Sequence, residues 1–376
     1  MRYVDEYRDP EKAGRLLAEI AARSPDRPVT LMEVCGSHTM AISRFGVRRL
    51  LPENVRLVSG PGCPVCVSPV EYLDRALALA RLPDLTLATF GDLIRVPGSR
   101  TTLAEERAAG ADVRVVYSPL DAVGLAEREP DREIVFLGIG FETTAPTVAG
   151  ALLAAEQKQL PNFFVLCDHK VMPPPMKALL QAPDVRVDGF LCPGHVSAVI
   201  GSDAYRPLAE EYGVACVVAG FEPQDILLGI LLLLRQLEEG RPRVENAYLR
   251  AVRPEGNQAA LALLDRVFEP VTATWRGLGD IPESGLALRE AFWSRDASRR
   301  FTLEVPPGQD HPGCRCAQVL RGVIRPTDCP LFARTCVPDD PKGACMVSSE
   351  GTCAAYYRYE RLDAAQRSRP AHEERP

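Results

Sequence analysis

The chain has 376 residues, 46% of them hydrophobic and 25% charged, and its formal net charge is −6. These values are typical of a globular protein of two or three domains, and the negative charge argues against a nucleic-acid binder or a polybasic membrane surface. The N-terminal residues include acids and no apolar signal region, so we expect a cytoplasmic protein whose twelve cysteines are thiols. The longest apolar run, residues 226–234, is too short to span a bilayer and predicts a buried helix.

Short β-branched runs alternate with helical stretches from about residue 28 to residue 240. Eight of these runs predict strands: 29–34, 55–59, 85–90, 113–117, 133–138, 163–167, 188–192 and 214–219. Strands separated by helices are typical of βαβ units and of parallel sheets. We therefore predict an α/β fold with two similar parallel-sheet domains, residues 28–125 and 126–240, each built from four consecutive strands.

Segments rich in Cys, His, Glu, Thr and Gly follow the ends of six predicted strands. They are CGSHT (35–39), GPGCPVC (60–66), GIGFETTAP (138–146), CDHK (167–170), CPGHVSA (192–198) and AGFEP (219–223). Open parallel sheets bind ligands outside the carboxyl ends of their strands. This placement predicts that one face of each sheet collects functional loops.

Four residues of the first two segments are the most specific candidates for catalysis, metal binding or redox chemistry. Cys35 and His38 lie three residues apart in a glycine-containing turn, and a helix starting just after Cys35 would lower its pKa. This pair indicates catalysis or metal binding, with a buried thiol and a satisfied histidine as the alternative. Cys63 and Cys66 form a Cys-x-x-Cys that can chelate a labile metal or cycle between dithiol and disulfide. A structural zinc site is disfavoured there because no second Cys-x-x-Cys stands at zinc-ribbon spacing.

Two loops of the second series supply further candidates. Glu142 is the charged residue of a loop whose threonines and proline suit the N-terminus of an anion-binding helix. His195 follows a predicted strand and is a candidate proton donor or metal ligand. Both loops could instead consist only of turn and capping residues, and residues 168–170 are a weaker candidate of the same kind.

The last part of the chain, residues 241–376, contains glycine and proline at short intervals and little regular pattern. Four cysteines, with six, eight and seven residues between successive members, predict one inorganic centre: Cys329, Cys336, Cys345 and Cys353. Four thiolates suit an iron–sulfur cluster or zinc, and the redox-capable Cys-x-x-Cys elsewhere favours [4Fe–4S]. We expect this region, joined by the N-terminal helix of residues 1–27, to form a cluster domain that orders around its metal.

The remaining cysteines receive no defined role. Cys314 and Cys316 are too close to each other for easy joint ligation of one metal, and they would supply a neighbouring thiol or nothing. Cys167, Cys192 and Cys216 end or lie within apolar runs, where cysteine behaves as a small hydrophobic residue.

Five motifs, in this order, make the chain similar to the HypD family of hydrogenase formation proteins. They are EVCGSHT (33–39), SGPGCPVC (59–66), GFETTAP (140–146), PGHVSA (193–198) and PKGACMVSSEGTCAAYY (341–357), and the match runs over nearly the whole chain. The resemblance implies two α/β domains plus a [4Fe–4S] cluster domain. It also implies a scaffold that helps to build the Fe(CN)2CO unit of [NiFe]-hydrogenases with the small chaperone HypC and the cyanide donor HypE.

Carried over by position, the resemblance assigns roles to individual residues. The four C-terminal cysteines would hold the cluster. Cys35 would bind the nascent iron jointly with a cysteine of HypC, with His38 close by, while Cys63 and Cys66 would relay electrons between the cluster and the iron site.

The loops of Glu142 and His195 would line the same cleft. Two rival functions stay open: a ferredoxin-linked thiol/disulfide oxidoreductase, which also needs a cluster beside a Cys-x-x-Cys, and a zinc-stabilised binding module without a redox role.

Overall fold

Eleven strands form two sheets in the computed structural model, which describes residues 5–361. They are β1 (Val29–Glu33), β2 (Val55–Ser59), β3 (Leu85–Thr89), β4 (Val113–Val115), β5 (Glu133–Gly140), β6 (Phe163–Lys170), β7 (Gly189–Pro193), β8 (Ala215–Ala219), β9 (Val244–Asn246), β10 (Phe268–Trp275) and β11 (Gly279–Leu288). All eight predicted strands are present. Their apolar, β-branched composition suits strands that are buried on both faces of a parallel sheet.

Helices cover the sheets and connect their strands. They are α1 (Pro10–Ala22), α2 (Gly36–Arg44), α3 (Val47–Leu50), α4 (Pro64–Val67), α5 (Val70–Ala80), α6 (Leu103–Ala108), α7 (Pro119–Arg128), α8 (Ala145–Gln157), α9 (Pro173–Gln181), α10 (Gly194–Ile200), α11 (Arg206–Tyr212), α12 (Pro223–Glu239), α13 (Gln258–Val267), α14 (Ala297–Arg300), α15 (Cys316–Leu320) and α16 (Thr352–Tyr359). The apolar run at 226–234 forms part of α12, as predicted. Across residues 5–361, no helix is both long and apolar enough to cross a lipid bilayer.

The first sheet, sheet A, has the strand order β2-β1-β7-β8-β9 and is parallel throughout. The second, sheet B, has the order β10-β11-β6-β5-β3-β4, with β10 and β11 as antiparallel additions to four parallel strands. The α/β class with two predominantly parallel sheets is therefore confirmed.

The strand pairing differs from the predicted division of the chain between residues 125 and 126. Strand β1 pairs with β7, in the register Leu31↔Gly189 and Glu33↔Leu191, so the first two predicted strands share a sheet with the last two. The four strands between them build the parallel part of sheet B. Local patterns mark where each strand lies, but the crossover connections decide which strands become neighbours.

The N-terminal helix also lies elsewhere than predicted. Helix α1 packs against α12 beside sheet A, with Ile20 fully buried and Leu16 and Leu17 packed on the same apolar cluster. Its apolar stripe is therefore used by a sheet and not by the cysteine-rich region, which corrects the predicted grouping of 1–27 with 241–376. Residues 1–4 and 362–376 of that grouping lie outside the described residues.

Candidate functional site

Four of the six predicted loops meet at the carboxyl edge of sheet A. The strand order reverses between β1 and β7, because β2 lies on one side of this pair and β8 on the other. A parallel sheet binds ligands outside such a switch point. The loops 35–39 and 193–198 flank this point, where the Ser37 hydroxyl lies 3.4 Å from Nδ1 of His195.

Cys35 lies two residues after β1, at the N-cap of α2, with an extended backbone (φ −145°, ψ 123°). Its side chain is only 7% exposed. Burial, followed by the negative charges of Glu350 and Glu33, raises the pKa of this thiol to about 12. The expected lowering by the helix terminus is therefore wrong, because desolvation opposes the thiolate more strongly. Binding of a metal cation is what would favour a thiolate here.

Glu33, the last residue of β1, forms hydrogen bonds with the loop of Cys35. This residue was not identified from the sequence. Its carboxylate is fully buried, accepts the Cys35 N–H at 3.1 Å and accepts the Thr39 hydroxyl at 2.6 Å. A charged residue inside the apolar strand VTLME is the signal that could have revealed it. Because a buried carboxylate needs such partners, Glu33 and the loop fix each other's positions.

His38 is fully buried and lies across the loop that follows β8. Its Nε2 donates to the Gly220 carbonyl at 2.8 Å, and burial lowers its pKa to about 4, so the imidazole is neutral. Phe221 contacts two histidines, with ring centroids 4.7 Å from His38 and 3.9 Å from His195. His195 is itself exposed, which makes it the open side of this group. The structure thus brings Cys35, His38 and His195 to one edge.

The dithiol motif forms the short helix α4 beside the same loop. Cys63 caps α4, and its Sγ accepts the N–H of Cys66 at 3.3 Å. Cys66 is fully buried, and burial raises its pKa well above the ordinary value. The neighbouring thiol of Cys345, which lies in the C-terminal region, partly offsets this rise in the pKa of Cys66.

Gly62 makes the contact between the dithiol loop and Cys35 possible. Its carbonyl accepts the Gly36 N–H at 2.9 Å, and a Cβ at this position would lie 2.2 Å from the backbone nitrogen of Cys35. The atoms nearest to such a Cβ are backbone atoms of Val34 and Cys35, which cannot move aside without displacing the end of β1.

We expect Gly62→Ala to lower the free energy of unfolding by about 3 kcal/mol, the upper end of ordinary overpacking costs. Gly14→Ala is the matched control, because no atom lies within 4 Å of a Cβ there and alanine favours the interior of α1 by roughly 0.5–1 kcal/mol. Urea unfolding of both variants measures the effect. If Gly62→Ala had the same free energy of unfolding as the unchanged protein, the two loops would not pack as described.

Six cysteines, and not only the predicted four, line one cavity in the C-terminal region. They are Cys314, Cys316, Cys329, Cys336, Cys345 and Cys353. Arg315 also lines this cavity, whereas no histidine or carboxylate does. Within residues 5–361, no three His, Cys, Asp or Glu side chains converge in a way that would hold a single metal ion. The donor set consists of thiols alone, which is the set that iron–sulfur clusters use.

The six thiols are not equivalent in their contacts. The Sγ atoms of Cys316 and Cys345 lie 2.8 Å apart. The thiols of Cys66 and Cys353 are further neighbours of Cys345 and raise its pKa, and Cys316 raises the pKa of Cys314. Cys345 is therefore the sulfur that joins the dithiol of α4 to the cavity.

The segment between Cys345 and α16 connects the cavity to both sheets. The Ser37 hydroxyl donates to Glu350 at 2.6 Å, and the Ser348 hydroxyl donates to Asp92, just after β3, at 3.2 Å. Burial is the main cause that raises the pKa of Glu350. Glu350 belongs to the motif of residues 341–357, but nothing in the sequence indicated a role for it. Its position beside Ser37 makes it a member of the site.

Glu142 lies after β5 of sheet B, whereas the loops of Cys35, Cys63 and His195 follow strands of sheet A. Its Oε1 accepts the backbone N–H of Met172 at 2.9 Å, and its Oε2 has no hydrogen-bond partner among the described residues. None of the hydrogen bonds of this carboxyl group within residues 5–361 joins it to Cys35 or His38. Burial raises the pKa of Glu142 to about 7.

This raised pKa predicts a pH dependence of stability. The folded protein keeps the Glu142 proton up to about pH 7, whereas the unfolded chain releases it near 4.5, so the free energy of unfolding falls as pH rises between these values. The loss from this one group is about 3 kcal/mol. Glu142→Gln keeps an oxygen for Met172 and cannot ionise. Urea unfolding of both proteins between pH 4.5 and 8 should show the difference, and parallel curves would contradict it.

Comparison with known proteins agrees with these motifs along the whole chain. The model of the HypD family, described as "Hydrogenase formation hypA family", matches residues 11–360. The chain is 52% identical over 369 residues to the hydrogenase maturation factor HypD of Azotobacter vinelandii, which covers 96% of this chain and 97% of that protein. It is 50% identical over 371 residues to the HypD of Rhizobium leguminosarum bv. viciae (96% of each) and 45% identical to that of Escherichia coli K12 (97% and 100%). The chain therefore belongs to the HypD family of hydrogenase maturation proteins.

Proposed function

We propose that this protein is a cytoplasmic iron–sulfur scaffold on which the Fe(CN)2CO unit of a [NiFe]-hydrogenase is assembled. The observation that carries the proposal is a continuous series of thiols between two sites. It runs from the cysteine-lined cavity through Cys345 to Cys66 and Cys63, whose loop packs on the backbone of Cys35. Such a series can connect a redox centre with an iron-binding thiol.

The cavity fits a [4Fe–4S] cluster as its resident cofactor. Its candidate ligands are all thiols, Arg315 contributes a positive charge that suits an anionic centre, and the Lys342 N–H donates to Sγ of Cys336 at 3.3 Å. Hydrogen bonds to sulfur and nearby charge are the means by which proteins tune such clusters. When bound, the cluster would supply single electrons.

Thiol contacts indicate which four cysteines would hold it. Cluster ligands attach to different irons, so two sulfurs 2.8 Å apart, those of Cys316 and Cys345, cannot both serve. Without this pair, four thiols that line the cavity remain: Cys314, Cys329, Cys336 and Cys353. We take these four as the ligands and assign Cys316 and Cys345 to the path toward Cys66. The sequence-based set, with Cys345 in place of Cys314, is the alternative.

The iron unit itself is cargo and would bind at the carboxyl edge of sheet A. Iron that carries cyanide and carbonyl is soft, which suits the Cys35 thiolate better than a carboxylate. The neutral imidazole of His38 and the exposed His195 lie at the same edge of sheet A and both contact Phe221. A HypC-like chaperone would add its own cysteine from the open side, and a HypE-like protein would deliver cyanide. Both partners are proposed from family membership.

Iron and acid-labile sulfide analysis of anaerobically purified protein tests this proposal. We expect about four of each per chain, the content of one [4Fe–4S] cluster. Infrared spectra of the protein co-purified with a HypC-like partner should then show cyanide and carbonyl bands, and these should be absent when Cys35 is replaced by alanine.

The same measurements separate the rival functions. A zinc-stabilised binding module would contain zinc without sulfide and would be colourless. A thiol/disulfide oxidoreductase would contain the cluster and reduce a protein disulfide, but it would carry no cyanide or carbonyl bands. Either result would exclude the scaffold function.

A further inference from the structure

A second polar cluster surrounds the C-terminal end of α4, on the side away from Cys35. It consists of Ser68, Asp168, Lys170 and Arg276, which we call the α4 clamp. Asp168 and Lys170 belong to the CDHK segment, for which the assembly function provides no role. Both come from β6, and Arg276 directly follows β10, so sheet B supplies three of the four residues.

Arg276 satisfies the end of the dithiol helix. Its backbone N–H donates to the Val67 carbonyl at 2.8 Å, and its Nε donates to the Ser68 carbonyl at 2.9 Å. A helix of four residues leaves its last carbonyls without intrahelical partners, and a positive charge at that end interacts favourably with the negative end of the helix dipole. Arg276 is 4% exposed, and its Nη1 donates to Asp310 at 2.5 Å.

Asp168 holds the same end of α4 through a side chain. The Ser68 hydroxyl donates to its Oδ2 at 2.8 Å, and the Lys170 ammonium donates to its Oδ1 at 2.5 Å. The Lys170 side chain is 2% exposed. Taking such a pair out of water costs free energy that its attraction only partly returns. The pair is therefore better explained by the geometry that it imposes on Ser68 than by a gain in stability.

The α4 clamp is attached to a buried, hydrogen-bonded part of sheet B. Trp275, which precedes Arg276, is 1% exposed and donates through Nε1 to Ser284 of β11 at 2.8 Å. A single helical turn is unstable by itself, because too few hydrogen bonds offset its ordering. The orientation of α4 thus depends on these contacts from sheet B.

We propose that Asp168, Lys170 and Arg276 are positioning residues that hold the end of α4 and thereby set the relative positions of the Cys63 and Cys66 thiols. Formation of a disulfide depends on how often two thiols meet in bonding geometry, which is an effective concentration. A clamped turn keeps that concentration high. The inference rests on the redox role of this pair in the proposed function.

Equilibration of the anaerobic holoprotein with mixtures of oxidised and reduced dithiothreitol tests the clamp. In this exchange the Cys63–Cys66 disulfide forms as the reagent disulfide is cleaved, and two electrons and two protons pass from the protein dithiol to the reagent. Alkylation after acid quenching, followed by peptide mass spectrometry, gives the oxidised fraction. We expect Ser68→Ala and Arg276→Lys each to lower the equilibrium constant about tenfold, which corresponds to about 30 mV for a two-electron couple.

Arg289→Ala is the matched control. Arg289 also donates through Nε to a backbone carbonyl and through Nη2 to a carboxylate, both of Asp265, but it does not contact α4. The Arg289→Ala variant should form the Cys63–Cys66 disulfide with the same equilibrium constant as the unchanged protein. Ser68→Ala removes one hydroxyl and leaves the charged pair intact, so it keeps the test valid if Arg276→Lys folds poorly.

The outcomes separate this inference from the function on which it rests. If the unchanged protein forms the disulfide and both clamp variants form it with the same equilibrium constant, the clamp alone would be overturned. Absence of the Cys63–Cys66 disulfide from the unchanged protein at every ratio of the reagent would overturn the redox role of the pair and the clamp together. Iron and sulfide contents, which the clamp variants should retain, report on the cluster independently.

Discussion

Cys35→Ala is expected to abolish hydrogenase maturation while the iron–sulfur content of the protein stays unchanged. Cys35 lies just after β1 at the switch point of sheet A, whereas the cysteine-lined cavity lies beyond the dithiol helix. Loss of a residue that only supports a metal ligand already costs 10–100-fold in affinity, so loss of the ligand should lower hydrogenase activity by more than about 100-fold. Hydrogen-dependent dye reduction in a strain that carries only the variant measures the effect.

Cys167→Ala is the matched control for this substitution. Cys167 is a half-buried thiol in β6 of sheet B, and its Sγ donates to the Leu286 carbonyl at 3.1 Å. The control strain should keep its hydrogenase activity. If Cys35→Ala retained activity as well, this thiol would have no part in the mechanism and the iron site would have to lie elsewhere.

Cys353→Ser and Cys345→Ser are expected to differ in bound iron. Cys353 lies in the first turn of α16 and is one of the four proposed ligands, so its loss should lower the iron content from about four atoms per chain to below one. The C-terminal region should also lose stability, because metal binding and folding are coupled in segments with little core of their own. Cys345→Ser should keep the cluster and interrupt the thiol contact with Cys66.

Cys314→Ser completes this comparison, since the thiol contacts assign Cys314 as a ligand in place of Cys345. Iron and sulfide analysis, together with visible absorption of the anaerobic proteins, measures all three variants. Loss of iron from Cys345→Ser with retention in Cys314→Ser would restore the ligand set expected from the sequence. Retention of iron in Cys353→Ser would contradict both sets.

The stability predictions depend on features that are local to the backbone or to one side chain. Gly62→Ala reports on the approach of two loops, and Glu142→Gln on one buried carboxyl group. The sequence did not reveal the effect of either residue on stability, because the close approach at Gly62 and the burial of Glu142 depend on neighbours that are distant in the chain.

Some features of this protein could be derived from local sequence alone. The eight parallel strands were predicted because each is a short, β-branched, apolar run bounded by turn residues, a pattern that requires no knowledge of the neighbours. The placement of Cys35, Cys63 and His195 at strand ends followed from the same pattern. The close spacing of the late cysteines likewise indicated a common centre, since a short irregular segment brings its thiols together in almost any fold.

Only the tertiary structure decided which of these residues meet. The pairing of β1 with β7 brings His195 to the loop of Cys35 and leaves Glu142 on the other sheet. Contacts between distant segments likewise add Cys314 to the cavity and place Arg276 at the end of α4. The physical reason is that propensity and periodicity act over a few residues, whereas strand order and loop packing are set by the burial of apolar surface across the whole chain.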